Sequence, residues 1–503
     1  MKIIKKIAAI MLSVMMVLGM CSVVGAAGAG TTGSITINKA APGETYKIYR
    51  ILDLESYSGS GETGNYAYKL RTDTASGSTK SWSDFIQSAE IKGTYVTLDG
   101  EYVTWKEGVE TTTDKAAEFA KKALEYAKET STKIVADKTA PAPAATTGET
   151  TSTVTFTDLP LGYYLVETSV GTVLALNTTD TNVTIEEKNG VPSVEKKVKK
   201  GSDYKKENTA SIGDTVQFQT TITAQPGAQN YVLHDKMSDG LTFAGSVSVT
   251  KGGQALEAPR DYSLVTSTST PAITDNCTFD IKFTKLFCDT LEANDQIIVT
   301  YSATLNENAE IAGNGNKNET WLTYGDSSKT TTDETTTKTF EIPVFKYTLK
   351  NTVEKALKDA TFTLSKDSVT TSGKKDIIKL KKKDGTTTEE YLVNSSGTVT
   401  EITTGDTGKF TIQGLDAGRY YLTETQQPAG YNKLKDPLMI VIDENGNITV
   451  DTGSTAVKEV KVLNNTGSLL PSTGGMGTTL FYIFGAILVI GSGVVLITKK
   501  RMK

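Results

Sequence analysis

The sequence predicts an all-β chain that folds as three tandem β-sandwich domains, the first with a helical insertion. Short stretches of alternating apolar and polar residues recur along most of the chain and are broken by Gly, Asn and Asp; examples are GSITI, DTVQFQTTI, QIIVTYSATL and GKFTI. A length of 503 residues is too great for one core. The sequence YYLVET at 163–168 returns as YYLTET at 420–425, each time after an L-x-x-G turn, so the first and third domains look like versions of one module.

The N-terminus has the three parts of a secretory signal peptide. Basic residues follow Met1, an apolar run extends from Ile7 to Val24, and small residues occupy positions 25–29. An uncleaved membrane anchor is the alternative, but the short apolar run and the small residues that follow it favour cleavage. We therefore assign residues 1–27 to a signal peptide.

The C-terminus carries a second apolar segment, from Leu480 to Ile497, without a charged residue. Its length is about that needed to cross the hydrocarbon core of a membrane. The basic residues that follow it are Lys499, Lys500, Arg501 and Lys503. By the positive-inside rule this short tail stays in the cytoplasm, which predicts a transmembrane helix with the rest of the chain outside.

The part of the chain between these ends is acidic. Of the 53 Lys and Arg residues, seven lie at the two ends, so 46 remain against 58 Asp and Glu residues and the net charge becomes −12. An acidic surface argues against nucleic-acid binding.

Cysteine and histidine are scarce. Cys21 leaves with the signal peptide, and the stretch between Cys277 and Cys288 reads as a strand that would hold the two sulfurs too far apart for a disulfide. We therefore predict two free thiols. With His234 as the only histidine, the sequence predicts no metal site and no cofactor, and it lacks the Ser/His/Asp or Cys/His set of common surface enzymes. A pair of catalytic carboxylates is the enzymatic alternative that stays open.

One segment of the first domain has helical spacing. Its apolar positions recur at intervals of three, four and seven, which predicts a helix that packs on the first sandwich. These positions are Ala116, Phe119, Ala123, Leu124 and Ala127.

Composition marks the domain limits. A turn and a proline at 189–194 precede a fresh strand, and the Thr-rich run at 327–339 is too polar to be core. After position 464 the last strand gives way to a polar tether. These breaks predict domains at 28–190, 191–340 and 341–466, followed by a terminal region at 467–503.

A short motif precedes the transmembrane segment and the basic tail. It consists of Leu470, Pro471, Ser472, Thr473 and Gly474. The order of motif, apolar span and basic tail resembles the cell-wall sorting signal of Gram-positive surface proteins. The resemblance implies that a sortase cysteine attacks the Thr473 carbonyl, releases Gly474 onward, and holds the chain as a thioester until an amine resolves it. A simple tail-anchored protein is the alternative.

The third domain resembles an immunoglobulin-like, Cna-B-type module of Gram-positive pilins and adhesins. The matching residues are Lys346 in IPVFKYT, Glu424 in YYLTETQQPAGY and Asn464 in VKVLNN. The resemblance implies that Lys346 and Asn464 condense into an isopeptide bond with Glu424 as the assisting acid. Strand alternation agrees, because it places Lys346 on an apolar face, where burial lowers the pKa of a lysine and raises that of a glutamate. A buried salt bridge without chemistry is the alternative.

The second domain resembles the middle domain of shaft pilins. Alternation in PSVEKKV makes Lys196 the core-facing lysine, and Asn318 stands near the end of the domain in GNKNETWLTYGD. The resemblance implies a Lys196–Asn318 bond assisted by Asp235. Asp214 is the rival acid, with a role in a turn as its plainer interpretation.

The first domain offers weaker candidates. Glu167 occupies the position equivalent to Glu424 in the repeated sequence, and Lys39 and Asn189 end strand regions. The two alternatives are a further isopeptide bond between Lys39 and Asn189 and a solvated Lys39 at the end of its strand. In shaft pilins the polymerising lysine ends the last strand of this domain in a V-x-V-Y-P-K-type motif. Lys188 matches by position, although Glu-Glu replaces Tyr-Pro. The alternatives nearby are Lys197, Lys199 and Lys200.

The whole chain therefore resembles a sortase-assembled major pilin. This implies a non-enzymatic shaft subunit whose Thr473 is joined to Lys188 of the next copy, in a pilus anchored to the cell wall. The implied partners are class C and housekeeping sortases, peptidoglycan and other copies of the chain, head to tail. A monomeric wall-anchored adhesin that binds host surface molecules is the second hypothesis, and it needs no polymerising lysine.

Overall fold

The computed structural model describes residues 25–26, 32–58, 65–74, 76–106, 109, 113–129, 134–145, 151–168, 173–178, 182–187, 191–225, 228–325, 328–366, 376–383, 389–466 and 477–501. The described chain is mostly β, and its sheets come in three successive pairs. It forms two compact units that divide between Phe340 and Glu341. The predicted all-β class is confirmed, whereas the domain limits stay a prediction.

The first pair of sheets is built from eleven strands and carries three helices. Strands β1–β11 are Gly25–Ala26, Thr32–Ala40, Thr45–Ser58, Asn65–Leu70, Val96–Asp99, Tyr102–Trp105, Lys138–Pro141, Ser152–Pro160, Gly162–Thr168, Val173–Thr178 and Asn182–Glu186. Helices α1–α3 are Trp82–Gln87, Ala89–Thr94 and Thr113–Lys128. The larger sheet has the order β10-β9-β3-β4-β6-β5, with β1 and β7 also on β3, and the smaller sheet has the order β11-β2-β8.

Both faces of the larger sheet are covered. Tyr46 and Ile48 on β3 pack with Ile35 and Ile37 of the smaller sheet, whereas Tyr49 on the same strand packs in a second core with the helices. Apolar residues of β3 therefore occur on both faces of the strand.

Helix α3 confirms the predicted insertion, but α1 and α2 were not predicted. Ser81 caps α1 through a reciprocal capping box with Asp84, and Ser88 caps α2. Each of these two helices has only six residues, too short for the spacing of apolar positions to be recognised.

The second pair of sheets holds strands β12–β24 and one short helix, α4. The strands are Ser193–Lys200, Asp203–Lys205, Glu207–Thr209, Thr215–Thr223, Val232–Met237, Leu241–Lys251, Gln254–Ala255, Tyr262–Thr266, Phe279–Phe283, Gln296–Leu305, Asn316–Tyr324, Ser328–Lys329 and Asp333–Lys338. Helix α4 is Lys285–Cys288. One sheet has the order β13-β12-β15-β21-β17-β18, and the other β14-β24-β22-β16-β20-β19 with β23 on β22.

The two cysteines and a Thr-rich strand of the second domain bear on predictions made from the sequence. The two thiols are free and buried, as predicted. The polar run at 327–339 was predicted to mark a domain limit and to be too polar for the core, and the second part of this prediction was wrong, because β24 lies within the run and pairs with β22. Thr335 and Thr337 of β24 are buried. Threonine is β-branched and fits a strand well, so alternation rather than polarity was the better signal.

The third pair of sheets holds strands β25–β35. They are Phe340–Lys350, Val353–Ala356, Thr361–Lys366, Leu380–Lys382, Glu389–Val393, Ile402–Thr403, Lys409–Leu415, Gly418–Gln426, Leu438–Ile442, Ile448–Val450 and Val460–Leu463. One sheet has the order β26-β25-β31-β29-β28 with β35 on β25, and the other β30-β27-β32-β33-β34. The first strand of this domain, β25, thus pairs in parallel with the last, β35.

A final helix, α5, spans Gly477–Arg501. Its segment Phe481–Arg501 is long and apolar enough to cross a membrane, in agreement with the predicted C-terminal transmembrane helix.

Candidate functional site

A lysine, a glutamate and an asparagine meet in the core of the third domain. Lys346 lies on β25, Asn464 directly follows β35, and Glu424 lies on β32 in the opposite sheet. In the parallel pair of β25 and β35, Lys346 is beside Val462. Asn464, two residues further on, therefore projects from the same face as Lys346.

The three side chains are in direct contact. Nζ of Lys346 lies 3.1 Å from Oε1 of Glu424, and Nδ2 of Asn464 donates a hydrogen bond to the same oxygen at 3.0 Å. Nζ of Lys346 also donates to Oδ1 of Asn464. The second carboxylate oxygen, Oε2, accepts a hydrogen bond from the backbone N–H of Leu434 at 2.8 Å. The amine is thus held against the carboxamide, and both oxygens of Glu424 are fixed.

Burial makes the Lys346 amine a better nucleophile. The residue is 0% exposed. Burial lowers the pKa of Lys346, and this effect outweighs the opposing influence of the Glu424 carboxylate. A larger fraction of the amine is therefore neutral at neutral pH than for a surface lysine, and only the neutral amine can attack a carbonyl carbon.

A second cluster of the same kind lies in the core of the middle domain. Lys196 on β12, Asp235 on β16 and Asn318 on β22 are all 0% exposed. Strands β16 and β22 are antiparallel neighbours in which Met237 faces Asn318. Asp235, two residues before Met237, therefore lies on the same sheet face as Asn318, and Lys196 reaches them from the other sheet.

A tyrosine that the sequence interpretation missed completes this cluster. Nζ of Lys196 lies 2.5 Å from Oδ2 of Asp235, and the Tyr301 hydroxyl contacts both groups. Nδ2 of Asn318 donates to the Tyr301 hydroxyl oxygen at 3.2 Å. Alternation places Tyr301 on the core face of β21, where its ring reads as ordinary packing, so only the fold reveals the position of the hydroxyl.

The charges in this second cluster are set by burial. Burial lowers the pKa of Lys196 and raises the pKa of Asp235, and in each case the partner acts in the opposite direction. Both directions favour a neutral amine beside a protonated acid. Within the described part of the chain, Oδ1 of Asn318 and Oδ1 of Asp235 have no hydrogen-bond partner, so the carboxamide carbonyl is free to be polarised by a protonated acid.

The rival acid has a different environment. Asp214 is exposed, and one of its carboxylate oxygens accepts a hydrogen bond from the backbone N–H of Ser211 at 2.8 Å. This is the turn role that was its plainer interpretation.

Two of the three first-domain candidates, Lys39 and Glu167, lie in the described part of the chain and differ in burial. Lys39 is exposed, with a backbone φ of +55°. Glu167 is buried, accepts a hydrogen bond from the Tyr49 hydroxyl at 2.8 Å, and lies 2.7 Å from Nζ of Lys128. Asn189 lies outside the described residues. The first-domain isopeptide bond stays a prediction.

The proposed polymerising residue, Lys188, also lies outside the described residues, but its neighbour Glu187 does not. Glu187 is buried and accepts a hydrogen bond from the Tyr46 hydroxyl. Burial raises the pKa of Glu187 from 4.5 to about 7, although the hydrogen bond from Tyr46 acts in the opposite direction. The residue before Lys188 is therefore partly protonated at neutral pH.

Replacing Glu187 by Gln is expected to stabilise the first domain at alkaline pH. A carboxyl group whose pKa is higher in the folded state binds more protons when folded, so stability falls as pH rises from 4.5 to about 7 and stays lower beyond it. The Gln variant does not lose stability in this way, so its free energy of unfolding should exceed that of the wild type by roughly 3 kcal/mol at pH 8.

The measurement is a series of thermal melts of both proteins from pH 4 to pH 8. Their melting temperatures should differ most at the alkaline end and converge toward pH 4. A constant difference across the range would contradict the assignment.

The predicted cleavage motif, residues 470–474, lies between the last strand and helix α5 and outside the described residues. The described residues of the third domain extend to position 466, and the next described residue is Gly477. In the sequence, the motif therefore stands between the third domain and the candidate membrane span.

Comparison with known protein families gives two matches. A SpaA prealbumin-like fold domain matches residues 350–456, which include Glu424, and an LPXTG cell wall anchor motif matches residues 463–503, which include Thr473. The predicted wall-anchored location at the cell surface is thereby confirmed.

Two curated proteins are similar to the chain. The trypsin-resistant surface T6 protein of Streptococcus pyogenes serotype M6 is 23% identical over 381 residues, which are 62% of this chain and 70% of that protein. The fimbrial subunit type 1 of Actinomyces viscosus is 38% identical over 87 residues, 17% of this chain and 16% of that protein.

Solved structures are similar as well. The T6 backbone pilin of serotype M6 Streptococcus pyogenes has a TM-score of 0.49 and 17% identity, over 83% of this chain and 81% of that one. The full-length major pilin SpaD of Corynebacterium diphtheriae has a TM-score of 0.43 and 18% identity, over 88% of this chain and 100% of that one. With the anchor and the SpaA-type domain, the curated relatives confirm the predicted resemblance to sortase-assembled major pilins.

Proposed function

We propose that this chain, a wall-anchored pilin by its sorting signal and its relatives, is the backbone subunit of a covalently polymerised pilus. The observation that carries the proposal is the pair of buried lysine–acid–asparagine clusters in a chain that ends in an LPXTG anchor. A subunit that must transmit load along a filament gains from cross-links inside each domain. The role is structural, and the chemistry acts on the chain itself.

Within each cluster the reaction balances in three steps. A proton passes from the lysine ammonium to the neighbouring carboxylate, Glu424 in the third domain and Asp235 in the second, as the pKa directions of Lys346, Lys196 and Asp235 favour. The neutral Nζ attacks the carboxamide carbon while the protonated acid polarises the carboxamide group. The bond between lysine Nζ and Cγ of asparagine forms, the bond from Cγ to Nδ2 breaks, and ammonia leaves.

The geometry supports this step, because a buried charged amine is costly and the reaction removes it. An unreacted Lys346 must keep its charge paired in the core or lose its proton. The amide product carries no charge. The plainer alternative, a permanent buried salt bridge, would use the same contacts but would retain Asn464 as a carboxamide.

Between subunits, a class C sortase would cleave after Thr473 and pass the acyl group to Lys188 of the next copy. A housekeeping sortase would finally pass the assembled chain to an amine of peptidoglycan. Head-to-tail joining of one surface to a different surface makes an open filament rather than a closed ring. A monomeric adhesin would share the anchor and lack the polymer.

Deletion of residues 470–474 tests the anchor and the polymer together. In a strain that carries the sortases, wild-type wall extracts should give a ladder of high-mass bands on denaturing gels, because the links are covalent. The deletion should abolish the ladder and move the protein from the wall fraction to the membrane or the medium. A single wild-type band would favour the adhesin, and unchanged wall recovery after deletion would refute the role of Thr473.

A further inference from the structure

Four side chains that can bind a metal ion converge on one face of a sheet in the middle domain. His234 on β16 points away from Asp235, its neighbour in the core cluster, because successive strand residues face opposite ways. Asp275 and Cys277 come from the loop before β20, and Asp280 lies on β20. One nitrogen, one sulfur and two carboxylate oxygens of this group lie within 4.8 Å of one another.

The ring of His234 is held so that one nitrogen faces the other three groups. Nε2 lies 3.0 Å from Oγ1 of Thr323, and the ring stacks on Trp321 with its centroid 5.2 Å away. Nδ1 lies 2.8 Å from a carboxylate oxygen of Asp275 and 2.8 Å from one of Asp280, and 3.9 Å from Sγ of Cys277. Protein metal sites commonly fix a histidine ligand in this way, through a partner on its other nitrogen.

Hydrogen bonds within this group cannot pair all of its carboxylate oxygens. Nδ1 of His234 carries one hydrogen at most, yet it faces two carboxylate oxygens. Within the described residues, Oδ1 of Asp280 has no hydrogen-bond partner of good geometry despite its distance of 2.8 Å from Nδ1, and Asp280 is buried. A buried carboxylate of this kind needs a positive charge nearby.

We propose that His234, Asp275, Cys277 and Asp280 bind one Zn²⁺ ion. Nitrogen, sulfur and carboxylate oxygen are the ligand atoms that zinc takes, and four protein ligands close a tetrahedral site of the structural type. The thiolate of Cys277 favours zinc over the hard cations calcium and magnesium, which prefer ligand sets of oxygen alone. On binding, the Cys277 thiol gives its proton to solvent and the sulfur bonds to the metal.

The consequence is a second type of cross-link in the middle domain. The ion would tie β16 to β20 and to the loop that precedes it, on the sheet face opposite the Lys196 cluster. Sequence reasoning missed the site because His234 is far from the other three ligands in the chain, and only the antiparallel pairing of β16 with β20 brings them together. Asp275, Cys277 and Asp280 follow one another closely and were the available signal.

The test uses the exported chain released from the cell wall and stripped of metal with a chelator. Calorimetric titration should give one Zn²⁺ per subunit. Co²⁺ in place of zinc should give the absorption of a tetrahedral site together with a thiolate-to-cobalt charge-transfer band. Cys277→Ser should remove that band. Thr323→Val should weaken zinc binding by about 10- to 100-fold, because Nε2 of His234 loses its hydrogen-bond partner.

Two variants control for folding and for thiol chemistry. The side chain of Asp275 is 36% exposed, so Asp275→Asn leaves the core intact and should still lose zinc affinity. Cys288→Ser removes the other buried thiol of the mature chain and should keep both the zinc stoichiometry and the cobalt band. Absence of zinc binding by the folded wild-type chain, or equal affinity and an unchanged band in Cys277→Ser, would overturn the proposal.

Discussion

The intact mass of the mature chain is expected to fall short of the value calculated from its sequence by two molecules of ammonia. One is lost in the Lys196–Asn318 cluster and one in the Lys346–Asn464 cluster, because each amide bond releases the Asn Nδ2 group. The measurement is mass spectrometry of the chain produced without sortase, followed by peptide mapping to find the two branched peptides. A mass equal to the calculated value would leave both clusters as unreacted salt bridges.

Replacing Glu424 by Ala is expected to restore one ammonia and to destabilise the third domain strongly. Lys346 and Asn464 are 118 positions apart, and in the chain-entropy model a cross-link that closes so long a loop stabilises the fold by about 5 kcal/mol. The variant also leaves the Lys346 amine buried without its acidic partner. Together these losses correspond to a fall in Tm of more than about 10 °C.

Two further variants separate the causes. Glu424→Gln keeps the volume and can accept one of the two hydrogen bonds that the carboxylate accepts, but it cannot take up a proton. It should therefore also retain its ammonia if proton transfer is needed. Glu401→Ala removes an exposed glutamate from the same domain and should change neither the mass deficit nor Tm appreciably. Bond formation in Glu424→Gln at the wild-type rate would contradict the role of Glu424 as an acid.

The largest effect on assembly is expected for Lys188→Ala. If Lys188 resolves the acyl-enzyme at Thr473, its loss should abolish the high-mass ladder while the subunit still reaches the wall, because anchoring uses an amine of peptidoglycan. Deletion of residues 470–474, in contrast, should remove both the ladder and the wall-bound subunit. Wall extracts from a strain with its sortases, separated on denaturing gels, measure the ladder and the wall-bound monomer together.

The neighbouring lysines of β12 are the matched controls. Lys199 is exposed, and Lys197 is half-buried and lies 2.9 Å from a carboxylate oxygen of Glu195. Single Ala variants of these two and of Lys200 should keep the ladder. Loss of the ladder in one of them, with a normal ladder in Lys188→Ala, would move the acceptor into β12.

The alternation of side chains along the strands predicted much of the two lysine–acid–asparagine clusters. It put Lys346 and Asn464 on apolar faces, and Lys196 on the core side of β12, and the structure buries all three. Alternation fixes which side of a strand a residue occupies. It says nothing about which residue lies opposite in the other sheet, so the contact of Tyr301 with Lys196 and Asp235 could not be predicted.

The first domain was harder to predict for a related reason. The repeated YYL-x-ET sequence placed Glu167 at the position of Glu424, and both acids are buried. Glu167, however, is paired with Lys128 on helix α3, which belongs to the insertion and has no counterpart among the described residues of the third domain. A repeat predicts the scaffold that two domains share, whereas an inserted element brings its own side chains to the same position.

The parallel pairing of β25 with β35 determines how a pulled filament would load the third domain. With Thr473 joined to Lys188 of the next copy, tension would pass through each subunit between these two residues, and β25 and β35 are the first and last strands of the third domain on that path. With Lys346 bonded to Asn464, the tensile path would cross from one strand to the other through a single side-chain amide. The residues between them would then carry no load, and the domain would not lengthen when its sheets are disturbed. The middle strands could accordingly vary in sequence and loop length without weakening the fibre.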